Sequence, residues 1–110
     1  MKLLEEKIRK EGKIFPGNIV KVSSFLNHQL DIALLEEMGK EIARLYAGSG
    51  VNKVLTVESS GIAIAVFAGR ELKVPVLFAK KGETSNLKSD LYQTPIESFT
   101  HHKTYNVTVS

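Results

Sequence analysis

Polar and apolar residues change period several times along the chain, and each change marks an element. From Lys2 to Glu11, the apolar Leu3, Leu4 and Ile8 share one helical face, while Glu5 and Arg9, and Glu6 and Lys10, are spaced for i, i+4 ion pairs on the surface. Gly12 stops this helix. Ile14-Phe15 and Ile19-Val20-Lys21-Val22 are short extended runs divided by a Pro16-Gly17 turn, which predicts a small hairpin. Asp31 then stands as N-cap to a helix in which Ile32, Leu35, Met38, Ile42, Leu45 and Tyr46 recur at helical spacing as far as Gly48. After it the pattern shortens. Val54 to Val57 is a β-branched run, Ser59-Ser60-Gly61 a turn, Ile62 to Leu72 an Ala-rich helix, and Val74 to Ala79 a second strand of the buried type. Strand, helix and strand in so short a span predict a right-handed βαβ unit and hence a parallel sheet. Residues 82–95 are polar and lack a period, which reads as a loop of the length and composition of a lid. Ile96 to Phe99 and Tyr105 to Val109 read as two further strands around a turn from Thr100 to Thr104, leaving sheet edges open at Val54 and at Tyr105 to Val109.

Composition narrows the class without naming a function. The chain has 110 residues, 43% hydrophobic and 25% charged, the balance of one globular domain. Its 15 Lys and Arg against 12 Asp and Glu give a net charge of +3, too small and dispersed to argue for nucleic acid but compatible with an anionic ligand. The absence of Cys removes disulfides, thiolate zinc sites and cysteine nucleophiles together. Acids at Glu5 and Glu6 fall where an export signal needs its apolar core, so a cytoplasmic protein is expected. The nearly apolar stretch from Gly61 to Gly69 is far shorter than the roughly 20 residues of a membrane helix.

Val57-Glu58-Ser59-Ser60-Gly61 is the strongest candidate for chemistry, because it joins the C-terminal end of a parallel strand to a helix N-terminus. Free N–H groups and the helix dipole at such a junction favour a phosphate, the serines add hydroxyl donors, and Gly61 lets the backbone approach a ligand. A solvated turn with a serine N-cap fits the same spacing, and the spacing leaves both open. Lys80-Lys81 follows the second strand and sets two cations at the same edge, where they serve either a shared anion or only solvent. Asn27 lies in Phe25-Leu26-Asn27-His28-Gln29, and its amide offers the donor and acceptor that suit the edge of a heterocyclic base, or an Asx turn. His101 and His102 are adjacent, so on a strand they face opposite ways and cannot share a metal. Glu5-Glu6 and Glu36-Glu37 read as exposed helical faces.

The run from Val54 to Ala63 (VLTVESSGIA), followed by Val74-Pro75-Val76-Leu77-Phe78-Ala79-Lys80-Lys81, resembles the first βαβ unit of the type I phosphoribosyltransferases. Val22-Ser23-Ser24-Phe25-Leu26-Asn27-His28-Gln29-Leu30-Asp31 resembles the purine-salvage members that act on xanthine, and the similarity runs from the first helix to Ser110 with nearly matching spacing. The resemblance implies an α/β fold, a type I phosphoribosyltransferase-like parallel sheet with flanking helices, incomplete at the C-terminal side. Residues 1–31 would form a base-side hood with the first helix, and residues 32–110 the βαβ core, lid loop and following strands.

It further implies a cytoplasmic homodimer that joins xanthine to phosphoribosyl pyrophosphate with Mg²⁺, giving xanthosine monophosphate and pyrophosphate, with neither nucleic acid nor membrane as partner. Glu58, Ser59, Ser60 and Gly61 match the pyrophosphate loop, in which the family often has a non-proline cis peptide. Lys80 and Lys81 match the basic pair beside it, Gly82 to Pro95 the lid, and Val20 and Asn27 the positions that contact the base. No residue is assigned a catalytic or metal-ligating role. Two departures stand out. Lys80 replaces the frequent Arg, a point charge in place of a planar fork. The ribose-phosphate motif of two adjacent acids after a hydrophobic strand is absent, so the chain is expected to be an N-terminal part, inactive and self-associating on its own. Two other readings remain at this stage, a non-catalytic module that binds a purine or phosphoribosyl pyrophosphate, and a fragment that binds nothing specific.

Overall fold

The computed structural model describes residues 1–81, 92–98 and 103–109. Its first element, α1 (Lys2–Glu11), ends where the Gly12 N–H reaches the Ile8 carbonyl at 2.8 Å, and a Cβ on Gly12 would press to 2.5 Å from that oxygen. The surface pairs that spacing suggests for α1 are replaced, among the described residues, by two ion pairs of Lys7, to Glu11 and at 3.0 Å to Asp31. Lys7 is drawn inward because Asp31 stands at the start of the next helix, so one ammonium ties two elements together.

The hairpin forms where Pro16-Gly17 predicts it. Strands β1 (Lys13–Phe15) and β2 (Ile19–Lys21) pair antiparallel with Ile14 opposite Val20, and the turn takes positive φ at Gly17 (88°) and Asn18 (59°). Helix α2 (Ile32–Leu45) starts at Asp31, whose Oδ1 accepts the Leu34 N–H at 3.0 Å. It stops short of Gly48, with the Tyr46 N–H still bonded to the Ile42 carbonyl at 3.1 Å.

Strand β3 (Val54–Val57), helix α3 (Gly61–Leu72) and strand β4 (Val76–Lys81) make the expected βαβ unit, with Val54 beside Val76 and Val57 beside Ala79 in parallel register. Strand β4 is displaced toward its C-terminus from the Val74 to Ala79 expectation. Lys73 turns left-handed (φ 57°) and the Val74 N–H reaches back 3.1 Å to the Gly69 carbonyl, so Val74 still belongs to the exit from α3. Lys80 and Lys81 consequently lie inside the strand. Glycines let α3 pack closely: a Cβ on Gly39 of α2 would lie 2.6 Å from the Phe67 carbonyl oxygen, and one on Gly69 would lie 2.5 Å from Val76 Cγ2.

Beyond this unit the sheet departs from the parallel expectation. Strand β5 (Tyr92–Ser98) and strand β6 (Lys103–Val109) form an antiparallel hairpin, β6 joins β4 antiparallel through Lys80–Thr108 and Lys81–Val107, and the order is β3-β4-β6-β5. The sheet is thus mixed, and the expectation of an open edge at Tyr105 to Val109 is corrected in part: β6 stands between β4 and β5, paired to β4 at Val107 and Thr108. A hairpin connection reverses the chain, which is why β6 runs antiparallel to β5. The expected loop over residues 82–95 is corrected at its end, since Tyr92 to Pro95 belong to β5; residues 82–91 and 99–102, with His101 and His102, lie outside the described residues. Pro95 lies in β5, an edge strand, the place in a sheet that tolerates a residue without an N–H.

The core gathers at Phe25 and Leu35, both fully buried, with Leu34, Ala65, Ala68, Ala79 and Val107. Among the described residues no helix is long and apolar enough to cross a membrane.

Candidate functional site

Between β3 and α3 the chain turns through Glu58, Ser59 and Ser60, and three bonds shape the turn. The Glu58 N–H donates to the Ala79 carbonyl at 3.0 Å, carrying the parallel ladder one residue past β3. Glu58 Oε1 accepts the backbone N–H of Lys81 at 2.5 Å, and the Ile62 N–H reaches the Ser59 carbonyl at 3.2 Å. The Glu58–Ser59 peptide is cis, the conformation that the resemblance leads one to expect.

Ser60 occupies the N-cap position of α3 with helical backbone (φ −66°, ψ −26°), and its hydroxyl makes no capping bond. The serine-cap alternative is therefore not realised. Among the described residues the N–H groups of Ser59 and Ser60 have no intramolecular acceptor, and both residues are exposed. Gly61 is required by packing, since a Cβ there would collide with Thr56 Oγ1. The result is a strand-to-helix junction with outward-facing donors at the positive end of a 12-residue helix.

Ladder register sets Glu58 opposite Lys80, and both lysines are exposed. Lys80 leans along the strand with Nζ 5.8 Å from the centre of the Phe78 ring. Because the two lysines belong to β4, their side chains leave opposite faces of the sheet. The shared-anion reading thus narrows: Lys80 leaves on the side of Thr56 and Val76, against which α3 packs, while Lys81 ties in Glu58 through its backbone.

Val20 lies on β2, half exposed at 47%, and Asn27 is exposed between Leu26 and Leu30, which form an isolated bridge. No hydrogen bond or ion pair among the described residues joins either to the Glu58–Gly61 turn. The neighbouring Phe25 is a core residue instead of part of an amide-rich patch. Glu36 also does more than face solvent, standing 3.8 Å from Arg70 across α2 and α3. Sequence reasoning did not anticipate the carboxylate of Glu58 as a clamp on Lys81. Nor did it find the apolar groove of about 420 Å³ between the C-terminal half of α2 and β3, lined by Ile42, Tyr46, Val51, Val54 and Ile64 among others. Tyr46 and Val51, two of its lining residues, are accordingly exposed at 53% and 36%.

Comparison with known proteins places this fold. No family model matches the chain. The solved adenine phosphoribosyltransferase of Giardia lamblia in complex with 9-deazaadenine superimposes with a TM-score of 0.70 at 20% identity, over 94% of this chain and 57% of that one. The enzyme of the same name from Rhodothermus marinus gives 0.66 at 13% identity, over 99% and 61%. The chain has the type I phosphoribosyltransferase fold, in its N-terminal portion.

Within that class its sequence relatives are more particular. It is 51% identical over its full length to the xanthine phosphoribosyltransferase of Lachnoclostridium phytofermentans, and 53% identical over 99% of its length to xanthine phosphoribosyltransferase 1 of Clostridium perfringens. The chain is a homologue of the xanthine phosphoribosyltransferases, and it spans 57% and 58% of the length of these two.

Proposed function

We propose that this chain supplies the base-side and pyrophosphate-side elements of a xanthine phosphoribosyltransferase, which transfers phosphoribosyl from phosphoribosyl pyrophosphate to xanthine and releases pyrophosphate. The observation that carries the reading is the Glu58–Gly61 turn, with its unaccepted N–H groups beside Lys80, in a chain about half identical to enzymes of that name. In this reading Ser59, Ser60, Gly61 and Lys80 receive the pyrophosphate, Glu58 and the backbone of Lys81 hold the turn in place, and Val20 and Asn27 face the base. Residues 1–31 act as the base-side hood, 32–110 as the core.

The reaction is a substitution at the anomeric carbon. The bond from that carbon to the pyrophosphate oxygen breaks as the bond to a base nitrogen forms and the base gives up its ring N–H proton to solvent or to the released pyrophosphate, while positive charge grows on the sugar and negative charge on the departing pyrophosphate. Donors already aimed at the departing group stabilise the developing charge without reorganising, which is the most effective use of backbone N–H groups and a lysine ammonium. Among the described residues no group of three or more His, Asp or Glu side chains is placed to hold a metal. Mg²⁺ in this proposal therefore arrives on the phosphates of the sugar substrate, and none of the roles assigned above depends on it. We read the protein as cytoplasmic and homodimeric, like the expectation from its sequence.

Calorimetric titration of pyrophosphate into the chain tests the site. Binding is expected, weakened at least about tenfold in Lys80→Ala, since a charge-assisted contact contributes about 1.5–3 kcal/mol when desolvated. Equal affinity in both proteins would remove Lys80 from the site, and no binding at all would return the turn to a solvated junction.

A further inference from the structure

The β1–β2 hairpin presents two faces of different character. Ladder register puts Lys13 beside Lys21 and Phe15 beside Ile19 on one face, and Ile14 beside Val20 on the other. The first face is partly satisfied by its own residues: Lys21 Nζ lies 4.9 Å from the centre of the Phe15 ring, and Lys13, Phe15 and Lys21 line a shallow cavity of about 220 Å³ together with Glu11, Ser23 and Ser24. The second face has only two aliphatic side chains. Ile14 is 81% exposed, more than any other large hydrophobic residue described, and Val20 is 47% exposed.

Two β-branched side chains at directly opposed positions make a small flat apolar plate, with Cβ atoms about 4.5–5.5 Å apart. Such a plate complements the face of a planar heteroaromatic ring, whereas an amide such as Asn27 complements its polar edge. We infer that Ile14 is a base-contacting residue that, with Val20, supports the ring face of the purine. The inference rests on the proposed xanthine site, because it takes its ligand from the role assigned to Val20 and Asn27. It adds a residue to which neither the resemblance nor the comparisons assign a role.

The test is titration of xanthine into the 110-residue chain and four variants. Ile14→Thr keeps the β-branch and the exposed position but replaces a chain of two carbons with a hydroxyl. It is expected to weaken xanthine binding about tenfold, the scale of a lost apolar contact in a pocket, while pyrophosphate binding is unchanged. Ile14→Val is expected to restore most of the affinity. Ile19→Thr makes the same chemical change on the opposite face and is expected to change affinity less than twofold. Asn27→Ala reports on the site itself.

If Asn27→Ala weakens binding and Ile14→Thr does not, the role of Ile14 is overturned and the xanthine site stands. If the parent chain binds pyrophosphate but no xanthine, the base-side reading fails and takes the inference with it. Equal weakening by Ile14→Thr and Ile19→Thr would mean that the hairpin matters as a whole and Ile14 has no contact of its own. A change in self-association without a change in xanthine affinity would assign the plate to a second copy of the chain and overturn the inference equally.

Discussion

Single residues decide whether the turn at the end of β3 can exist in its present shape. Gly61 sits where any Cβ meets Thr56 Oγ1, so Gly61→Ala must displace either the start of α3 or the threonine. Overpacking of this kind costs about 1–3 kcal/mol, so chemical denaturation of Gly61→Ala should show a loss of that size together with weaker pyrophosphate binding. Adding Thr56→Ala removes the colliding oxygen and should return part of the stability, a coupling that a double-mutant cycle measures directly. Additive losses would show that the glycine serves something other than this contact. The donor capacity of the turn was legible in Glu58-Ser59-Ser60-Gly61 as a sequence, because serines and a glycine before an apolar helix carry a local signature. The clamp from Glu58 to the Lys81 N–H was not, because it joins positions 23 residues apart and only the parallel register brings them together.

At the scale of elements, α2 depends on one cap and one close approach. The Leu34 N–H, and after it the Lys7 ammonium, hold the Asp31 carboxyl below the usual carboxylate range. The hydrogen bonds that the Lys7 ammonium donates to Glu11 first, then to Asp31, hold Lys7 above the usual lysine value. The signs follow by linkage. The contribution of Asp31 is complete above about pH 4 and is lost as pH falls through its lower folded value, while that of Lys7 is lost as pH rises through its raised value above about 10.4. Asp31→Asn keeps a capping oxygen but no charge, so its thermal midpoint should depend less on pH below about 4 than that of the parent; identical acid profiles would remove Asp31 as a source of that dependence. Gly39→Ala should destabilise by about 1–3 kcal/mol in urea, because the Phe67 carbonyl leaves no room for a methyl group and backbone yields less readily than a side chain. An unchanged midpoint would mean that α2 and α3 can part without loss.

Elements with strong periodicity are legible in the sequence: α1 matches to the residue and Asp31 and Gly12 do what caps do, although α2 ends at Leu45, short of Gly48, and α3 starts one residue early, at Gly61. Strand boundaries were harder. Val74 looks like strand by composition, yet the left-handed Lys73 assigns it to the exit from the helix, and Tyr92 to Pro95 look like loop although pairing with β6 makes them strand. Pairing partners lie far away in sequence, so local pattern has no access to them.

For the whole molecule, the two edges of the sheet are unequal. Strand β5 has Pro95, a residue that interrupts further pairing, whereas β3 has no proline and carries Leu55, 65% exposed on the face turned away from α3. Self-association is therefore expected through β3. Light scattering should show a concentration-dependent mass for the chain, shifted toward monomer by Leu55→Lys, and a monomer at all concentrations would show that β3 does not mediate contact between copies. The open edge could be foreseen from the βαβ pattern, but its counterpart was misplaced because the chain reverses between β5 and β6.

The order β3-β4-β6-β5 also means that, among the described residues, the ladder joining the final hairpin to β4 runs through its last two positions, Lys80 and Lys81, which pair with Thr108 and Val107. One of the residues at that joint is the lysine proposed to receive the pyrophosphate. An anion that immobilises Lys80 should steady the joint as well, so the amides of β6 are expected to exchange with solvent more slowly when pyrophosphate is bound. Occupancy at one end of β4 thereby becomes readable as rigidity in an arm that need not touch the anion.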